Sequence, residues 1–308
     1  MAKIPIAIVG FGKIARDQHV PTIRNSDAFE LVAIASPHSR LEGVPSYPTI
    51  ERLLDERPGV AAVALCTPPQ VRFAAACTAL RRGKHVLLEK PPGVTVSEAH
   101  ALARLAERHS VSLLASWHSR HAPAVAAARA WLRERHVRRA RITWKEDVRV
   151  WHPGQTWIWE AGGLGVFDPG INALSIVTHI LPEALALEGA ELTFPENAAT
   201  PVAARLSLID AAGAVVEAEF DFRQTGPQTW DIDVETDSGR VVLSLGGSVM
   251  HVDGAPVELP RHGEYPGVYQ HFAALVHGRR SDVDLSALQL VADAFLCGRR
   301  VVTEPFLD

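Results

Sequence analysis

Apolar residues gather in short blocks over the first 120 residues, and the rhythm then changes. IPIAIVG (4–10), LVAIAS (31–36), VAAVALCT (60–67), KHVLLE (84–89) and VSLLAS (111–116) are nearly unbroken apolar runs of strand length. Strands buried on both faces read this way, and helical spacing fills the intervals, so this part predicts a parallel sheet crossed by helices. One helix is expected over about 13–25. Another opens at the capping box Thr95–Glu98 and runs to about His109. Farther on the period becomes two. AVVEAEFDF (214–222) sets Val216, Ala218, Phe220 and Phe222 against Glu217, Glu219 and Asp221, and WDIDVE (230–235) turns Trp230, Ile232 and Val234 inward. Such alternation belongs to an antiparallel sheet wetted on one face, with turns at 237–239 and 246–247. Helical spacing returns at about 264–278 and 286–301. The expected division is an α/β domain over 1–120 and an α+β domain over 121–308 with an open, mainly antiparallel sheet.

Composition narrows the function classes. The 308 residues are 47% hydrophobic and 21% charged, with a net charge of −4 and no sustained basic stripe. The densest basic run, RERHVRRAR (133–141), is expected at the end of a helix, where cations offset the dipole, so no nucleic-acid partner is indicated. No stretch approaches the roughly 20 apolar residues of a membrane span. Cys66, Cys77 and Cys297 show neither a CxxC nor an even framework, and the fourteen histidines form no cluster of metal-ligand spacing. No metal is expected. The N-terminal apolar run feeds a glycine turn rather than a cleavage site, which points to the cytoplasm.

Candidate chemistry enters with VGFGKIA. Gly10, Gly12 and Ala15 form a GxGxxA pattern directly after a strand and at the mouth of a helix, with Lys13 and Ile14 between them. The first glycine permits the tight turn, the second lets a pyrophosphate approach the backbone, and the third small residue lets helix pack on strand. A dinucleotide cofactor follows. The second strand ends in ASPHSR, with no acid to repel a 2′-phosphate, while Ser36, His38, Ser39 and Arg40 offer donors; NADP is expected, with NAD accepted. LLEKPPG (87–93) delivers Glu89 and Lys90 to the carboxyl end of a buried strand, where a lysine held by two prolines reads as a positioned donor.

GGLGVFDPGINALSI (162–176) carries two readings at Asp168. Asp followed by Pro169 suits a helix N-cap, and the acid also lies one turn before Asn172 on the same face. Gly162, Gly163 and Gly165 favour a site, since glycine admits a ligand close to the backbone. Four of the seven tryptophans, Trp144, Trp151, Trp157 and Trp159, fall within sixteen residues. Aromatic platforms flanked by acids, amides and imidazoles suit a sugar, and His118, Glu146, Trp151, His152 and Trp230 are expected to bound one, while core packing or a subunit interface accounts for any single tryptophan equally well.

GFGKIA, CTPP (66–69), EKPP (89–92) and GG-x5-D-x3-N around Asp168 together resemble the glucose–fructose oxidoreductase/inositol dehydrogenase family across essentially the whole chain. The resemblance implies a Rossmann dinucleotide domain followed by a domain built on an open sheet, a homo-oligomer, and Cys66, Thr67, Pro68, Glu89 and Lys90 at the cofactor. It further implies that Lys90 hydrogen-bonds the reacting hydroxyl. Where the wider family has a histidine base, this chain has Asn172, which cannot take up a proton, so the burden moves to Asp168. In that respect the chain is most similar to the branch of aldose 1-dehydrogenases acting on D-galactose and L-arabinose. The resemblance thus implies hydride transfer from C1 of an aldopyranose, giving a lactone. Alternatives on the same fold are oxidation of a ring hydroxyl of a cyclitol or another sugar, and a cofactor-bound sugar sensor without turnover.

Overall fold

A computed structural model describes residues 2–307. The chain forms two compact units, one of Met1–His118 with Tyr265–Leu285 and the other of Ser119–Glu264 with Ser286–Asp308.

The first unit carries strands β1 (Ile4–Val9), β2 (Phe29–Ala35), β3 (Ser46–Tyr47), β4 (Ala62–Leu65), β5 (His85–Leu88) and β6 (Leu113–Ala115). All pair in parallel, in the order β3-β2-β1-β4-β5-β6. The strand order reverses between β1 and β4. At such a switch point the two crossovers leave on opposite faces, which opens a crevice at the carboxyl ends of the strands. Helical residues 13–24 follow the glycine turn, with a π-helical stretch over Ala15–His19.

One segment departs from the expected division. Tyr265–Leu285 belongs to the first unit, although it was expected in the second domain. Its helix, Glu264–Gly278, buries Tyr265, Val268, Tyr269, Phe272 and Leu275 in the core of the first unit, beside Ile8, Phe29, Ile34 and Leu114. Val268, Phe272 and Leu275 each contribute about 1.5–3 kcal/mol by leaving water. The chain then lies along β6. Asp282 exchanges backbone hydrogen bonds of 2.9 Å with Leu113 and Ala115, and the Trp117 indole N–H donates to Asp284 O at 2.8 Å.

The second unit carries β7 (Val137–Lys145), β8 (Leu185–Pro195), β9 (Ala203–Asp210), β10 (Val215–Asp221), β11 (Thr229–Thr236), β12 (Gly239–Ser244), β13 (Val249–Val252), β14 (Ala255–Pro256) and β15 (Arg299–Thr303). Their order is β14-β13-β12-β11-β7-β10-β9-β8-β15, antiparallel except for β7 with β10 and β8 with β15. The alternation read at 214–222 sorts the faces. Val216, Ala218, Phe220 and Phe222 are buried, and helix Phe167–Ile180 lies over that face, with Gly170 against the Phe220 ring. On the other face Glu219 pairs with Lys145 at 2.8 Å and Arg205 at 3.5 Å, and Glu217 pairs with Arg139.

Two expectations about elements fail. The helix expected over 286–301 stops at Cys297, and Arg299–Thr303 becomes β15. Gly298 makes the break: a Cβ there would lie 2.4 Å from Ala294 O, and the β-branched pair Val301–Val302 favours a strand. The basic run 133–141 is not confined to a helix end either. Its second half is β7, with Arg139 and Arg141 on the wet face.

Candidate active site

In the first unit the parallel topology gathers the sequence-selected residues at one edge of the sheet. Gly10, Gly12, Lys13 and Ile14 follow β1; Ser36, His38, Ser39 and Arg40 follow β2; Cys66, Thr67 and Pro68 follow β4; Glu89 and Lys90 follow β5. Gly10 has φ +84°, and a Cβ there would meet Thr67 N and Cγ2 at 2.7 Å. Only glycine fits. Gly12 is exposed, and nothing lies within 4 Å of where its Cβ would be, which leaves the turn open to an incoming group. The hydroxyl of Thr67, whose backbone and methyl lie against Gly10, is buried with no hydrogen-bond partner. An open glycine turn at the switch point, with a buried unsatisfied hydroxyl in the neighbouring β4 loop, suits a dinucleotide. Arg16 donates to the Ser39 hydroxyl at 3.1 Å and lies over the Phe11 ring at 5.1 Å, so it adds a cation to the β2 loop that sequence reasoning missed.

The EKPP loop is held from beneath by residues no motif had flagged. The Glu89 carboxylate is buried: its Oε1 meets His19 Nε2 at 2.9 Å and accepts from the Tyr265 hydroxyl at 2.8 Å, and its Oε2 accepts from the Lys90 backbone N–H at 2.9 Å. His19 Nδ1 lies 2.7 Å from the Tyr269 hydroxyl. Burial works against ionising Glu89, but the hydrogen bond and charge of His19, with His118 and the Tyr265 hydroxyl, pull its pKa down to about 2. Burial likewise opposes a charge on His19, yet Cys66, Tyr269 and Glu89 outweigh it and raise its pKa well above the ordinary value. The expected cofactor contact thus has its carboxylate turned inward, fixing the loop from which Lys90 extends. Arg72, 2% exposed, clamps the same loop by donating to the Thr67, Glu89 and Pro91 carbonyls. The His118 ring stacks on Tyr265 at 5.3 Å.

In the second unit Glu146 follows β7, the short helix Val148–Trp151 comes next, and His152 terminates it. Glu146, 2% exposed, meets His152 Nε2 through Oε1 at 3.0 Å and accepts from the Trp230 indole N–H through Oε2 at 2.8 Å. His152 Nδ1 lies 3.5 Å from Asp168 Oδ2. The rings of Trp151 and Trp230 approach to 4.7 Å, and Trp144 stacks on Trp230 at 5.8 Å. Glu146, Trp151, His152, Asp168 and Trp230 therefore form one cluster, with half-buried Asn172 one turn beyond Asp168.

The N-cap reading of Asp168 is corrected. Helix Phe167–Ile180 begins one residue earlier, Val166 occupies the cap position, and no side chain caps it. Asp168 sits in the first turn, where the helix dipole stabilises an anion by about 0.3–1 kcal/mol, and its carboxylate is turned to His152. The glycines have another reason than ligand approach. A Cβ on Gly163 would lie 2.4 Å from Trp157 O, and one on Gly165 2.3 Å from Pro201 O. They let the 156–159 turn and the 200–201 strand entry close on the helix start, which fixes Asp168.

Among the described residues no three His, Cys, Asp or Glu side chains are placed to hold a metal, and no helix is long and apolar enough to cross a membrane.

A parallel sheet with its glycine turn at the switch point, followed by a sheet unit bearing a buried acid cluster, defines a two-domain, dinucleotide-binding oxidoreductase. Residues 4–116 match the family described as "Oxidoreductase family, NAD-binding Rossmann fold". Over 308 residues the chain is 47% identical to galactose 1-dehydrogenase of Pseudomonas fluorescens, covering 100% of both. The crystal structure of D-galactose-1-dehydrogenase from Rhizobium etli superposes with a TM-score of 0.96 at 55% identity, over 100% of this chain and 99% of that one. A 3-ketoreductase from Actinomadura kijaniata in complex with NADP and TDP-benzene shares the fold, with a TM-score of 0.87 at 21% identity over 98% and 100% of the two chains. The chain belongs to the glucose–fructose oxidoreductase/inositol dehydrogenase family.

Proposed function

We propose that this protein oxidises aldopyranoses at C1 to aldonolactones, taking D-galactose, L-arabinose and D-fucose, with NADP preferred and NAD accepted. The observation that carries this reading is Asp168: a buried carboxylate backed by His152, in a chain alike from end to end to two galactose dehydrogenases. When bound, the nicotinamide supplies the hydride acceptor. This chain's residues do the rest. Asp168 takes the proton of the anomeric hydroxyl, which turns strongly acidic as the hydride departs, so a carboxylate suffices as base. Lys90 hydrogen-bonds the same oxygen. Asn172 holds a neighbouring hydroxyl, the Trp151–Trp230 pair faces the C–H side of the sugar, and His118 completes the binding set.

The three sugars share configuration at C2, C3 and C4, so a pocket that reads those hydroxyls accepts all of them. Preference for NADP rests on Arg16, Ser39 and Arg40 around the β2 loop and on the absence of an acid over 36–40. The three cysteines are free, which suits a reducing compartment, and we expect a homo-oligomer in solution.

The test is absorbance of reduced nicotinamide with each cofactor, offered D-galactose, L-arabinose, D-fucose and myo-inositol. The three aldoses should give signal and inositol none. Turnover of inositol alone would move the reaction to a ring hydroxyl, and silence with every pair would leave a sensor. A kcat/KM for NAD tenfold above that for NADP would reverse the cofactor preference.

A further inference from the structure

We propose that His152 carries the proton away from Asp168, and that Glu146 is the positioning residue that prepares it to do so. The inference rests on the aldose reading above and adds a step to it. Asp168 is buried, its side chain 3% exposed, and after each turnover it holds a proton it must lose. His152 Nδ1 stands 3.5 Å from Asp168 Oδ2, and the His152 side chain is 15% exposed, which makes it the more solvent-facing of the two.

Glu146 decides which nitrogen is available. Its Oε1 faces His152 Nε2 at 3.0 Å, against 3.5 Å from Nδ1 to Asp168, so in the neutral ring the closer carboxylate holds the hydrogen on Nε2 and the Nδ1 lone pair is left for the proton of Asp168. Both carboxylate oxygens of Glu146 are engaged, Oε2 by the Trp230 indole N–H at 2.8 Å. That double hold fixes the ring's partner in place. The groups facing the imidazole are Glu146 from the end of β7, Asp168 from the helix and, at 5.7 Å, the uncharged ring of Phe222 from the end of β10. The neighbouring Asp147 carboxylate is occupied by Arg149.

The step balances. The C1–H bond gives its electron pair as hydride to the nicotinamide, the O1–H proton passes to Asp168, and a C=O bond forms. Protonated Asp168 then gives that proton to His152 Nδ1 and is a carboxylate again. The imidazolium, its Nε2 hydrogen kept by Glu146, then releases the Nδ1 proton to water, and the neutral ring with hydrogen on Nε2 returns. No further reactant is needed.

The test has two arms. In the first, protein labelled with ¹⁵N at histidine is examined by NMR without substrate, the His152 signals being identified by their loss in His152→Gln. In its neutral form the wild-type ring should carry hydrogen on Nε2 alone, and Glu146→Gln should shift that balance. A ring protonated on Nδ1 in the resting protein has no lone pair for Asp168 and overturns the relay. In the second arm, His152→Ala should lower kcat for D-galactose roughly 10²-fold while KM changes less than threefold. Added imidazole should restore at least tenfold of that loss, in proportion to its concentration. A raised KM with kcat within twofold of wild type would make His152 a sugar ligand only, and absence of rescue would also sink the relay. If wild type itself oxidises no aldose, the proposed function fails, and the NMR arm still decides the tautomer on which the relay depends.

Discussion

The pairs His19–Glu89 at 2.9 Å and His152–Glu146 at 3.0 Å have nearly equal geometry, and their surroundings give them different work. In the first unit the other nitrogen of His19 ends on the Tyr269 hydroxyl, the Tyr265 hydroxyl adds to Glu89, and the His19 side chain is 0% exposed. Both members of that pair are shut off from solvent. In the second unit the other nitrogen meets a second carboxylate, and the ring reaches solvent. A closed His–carboxylate pair is a brace, whereas an open one that ends on an acid has somewhere to send a proton.

The sharpest way to break the contrast is to remove each cluster's acid and ask what is lost. Asp168→Ala should cut kcat roughly 10²–10⁴-fold with the melting temperature little changed. A folded variant with near-normal kcat would end its role as base. Glu89→Gln should instead cost stability, about 3 kcal/mol in denaturant unfolding. That is the low end for breaking a buried pair, because His19 can give up its proton. Loss below 1 kcal/mol would show the brace to be dispensable.

Acid sharpens the same point. The folded-state pKa of Glu89 lies below its usual value, at about 2, so its contribution is present above about pH 4.5 and disappears as pH falls toward 2. His19 has the opposite sign: its pKa is raised, so its contribution is complete below about 6.5 and fades as pH climbs through the raised value. The stability gap between wild type and Glu89→Gln should therefore close on acidification below 4.5, measured as thermal midpoint against pH. The smallest effect belongs to the β2 loop. Arg16→Ala should weaken NADP binding roughly tenfold, the loss of one charge-assisted contact, and leave NAD nearly unchanged, read by fluorescence titration.

The brace was invisible in the sequence, and the open cluster was half visible. Runs of buried strands, the glycine turn and the period-two stretches are local signals, and they yielded the parallel sheet and the wet-faced one. Glu146, His152, Asp168 and Trp230 announced themselves by residue type and by the aromatic density nearby. The order in which they touch did not, because it depends on register between β7, β11 and the helix. His19 sits in an exposed-looking run, ARDQH, and its partners lie 70 and 250 positions away, so no spacing rule finds it. Arg72 looked like an ordinary helical arginine until the loop carbonyls closed around it. Asp168 before Pro169 imitated a cap, and only the tight passage at Gly163 and Gly165 reveals that the helix has already begun.

The late return of Tyr265–Leu285 to the first unit governs how the protein can be made and rearranged. A ribosome must deliver all of the strands from β7 to β14 before β6 gains its neighbour and Phe29 its cover. The first unit therefore cannot complete its core until residues far beyond its glycine turn have been made. Anyone transplanting that unit into another enzyme must carry two separate stretches of gene, because no single cut separates the halves.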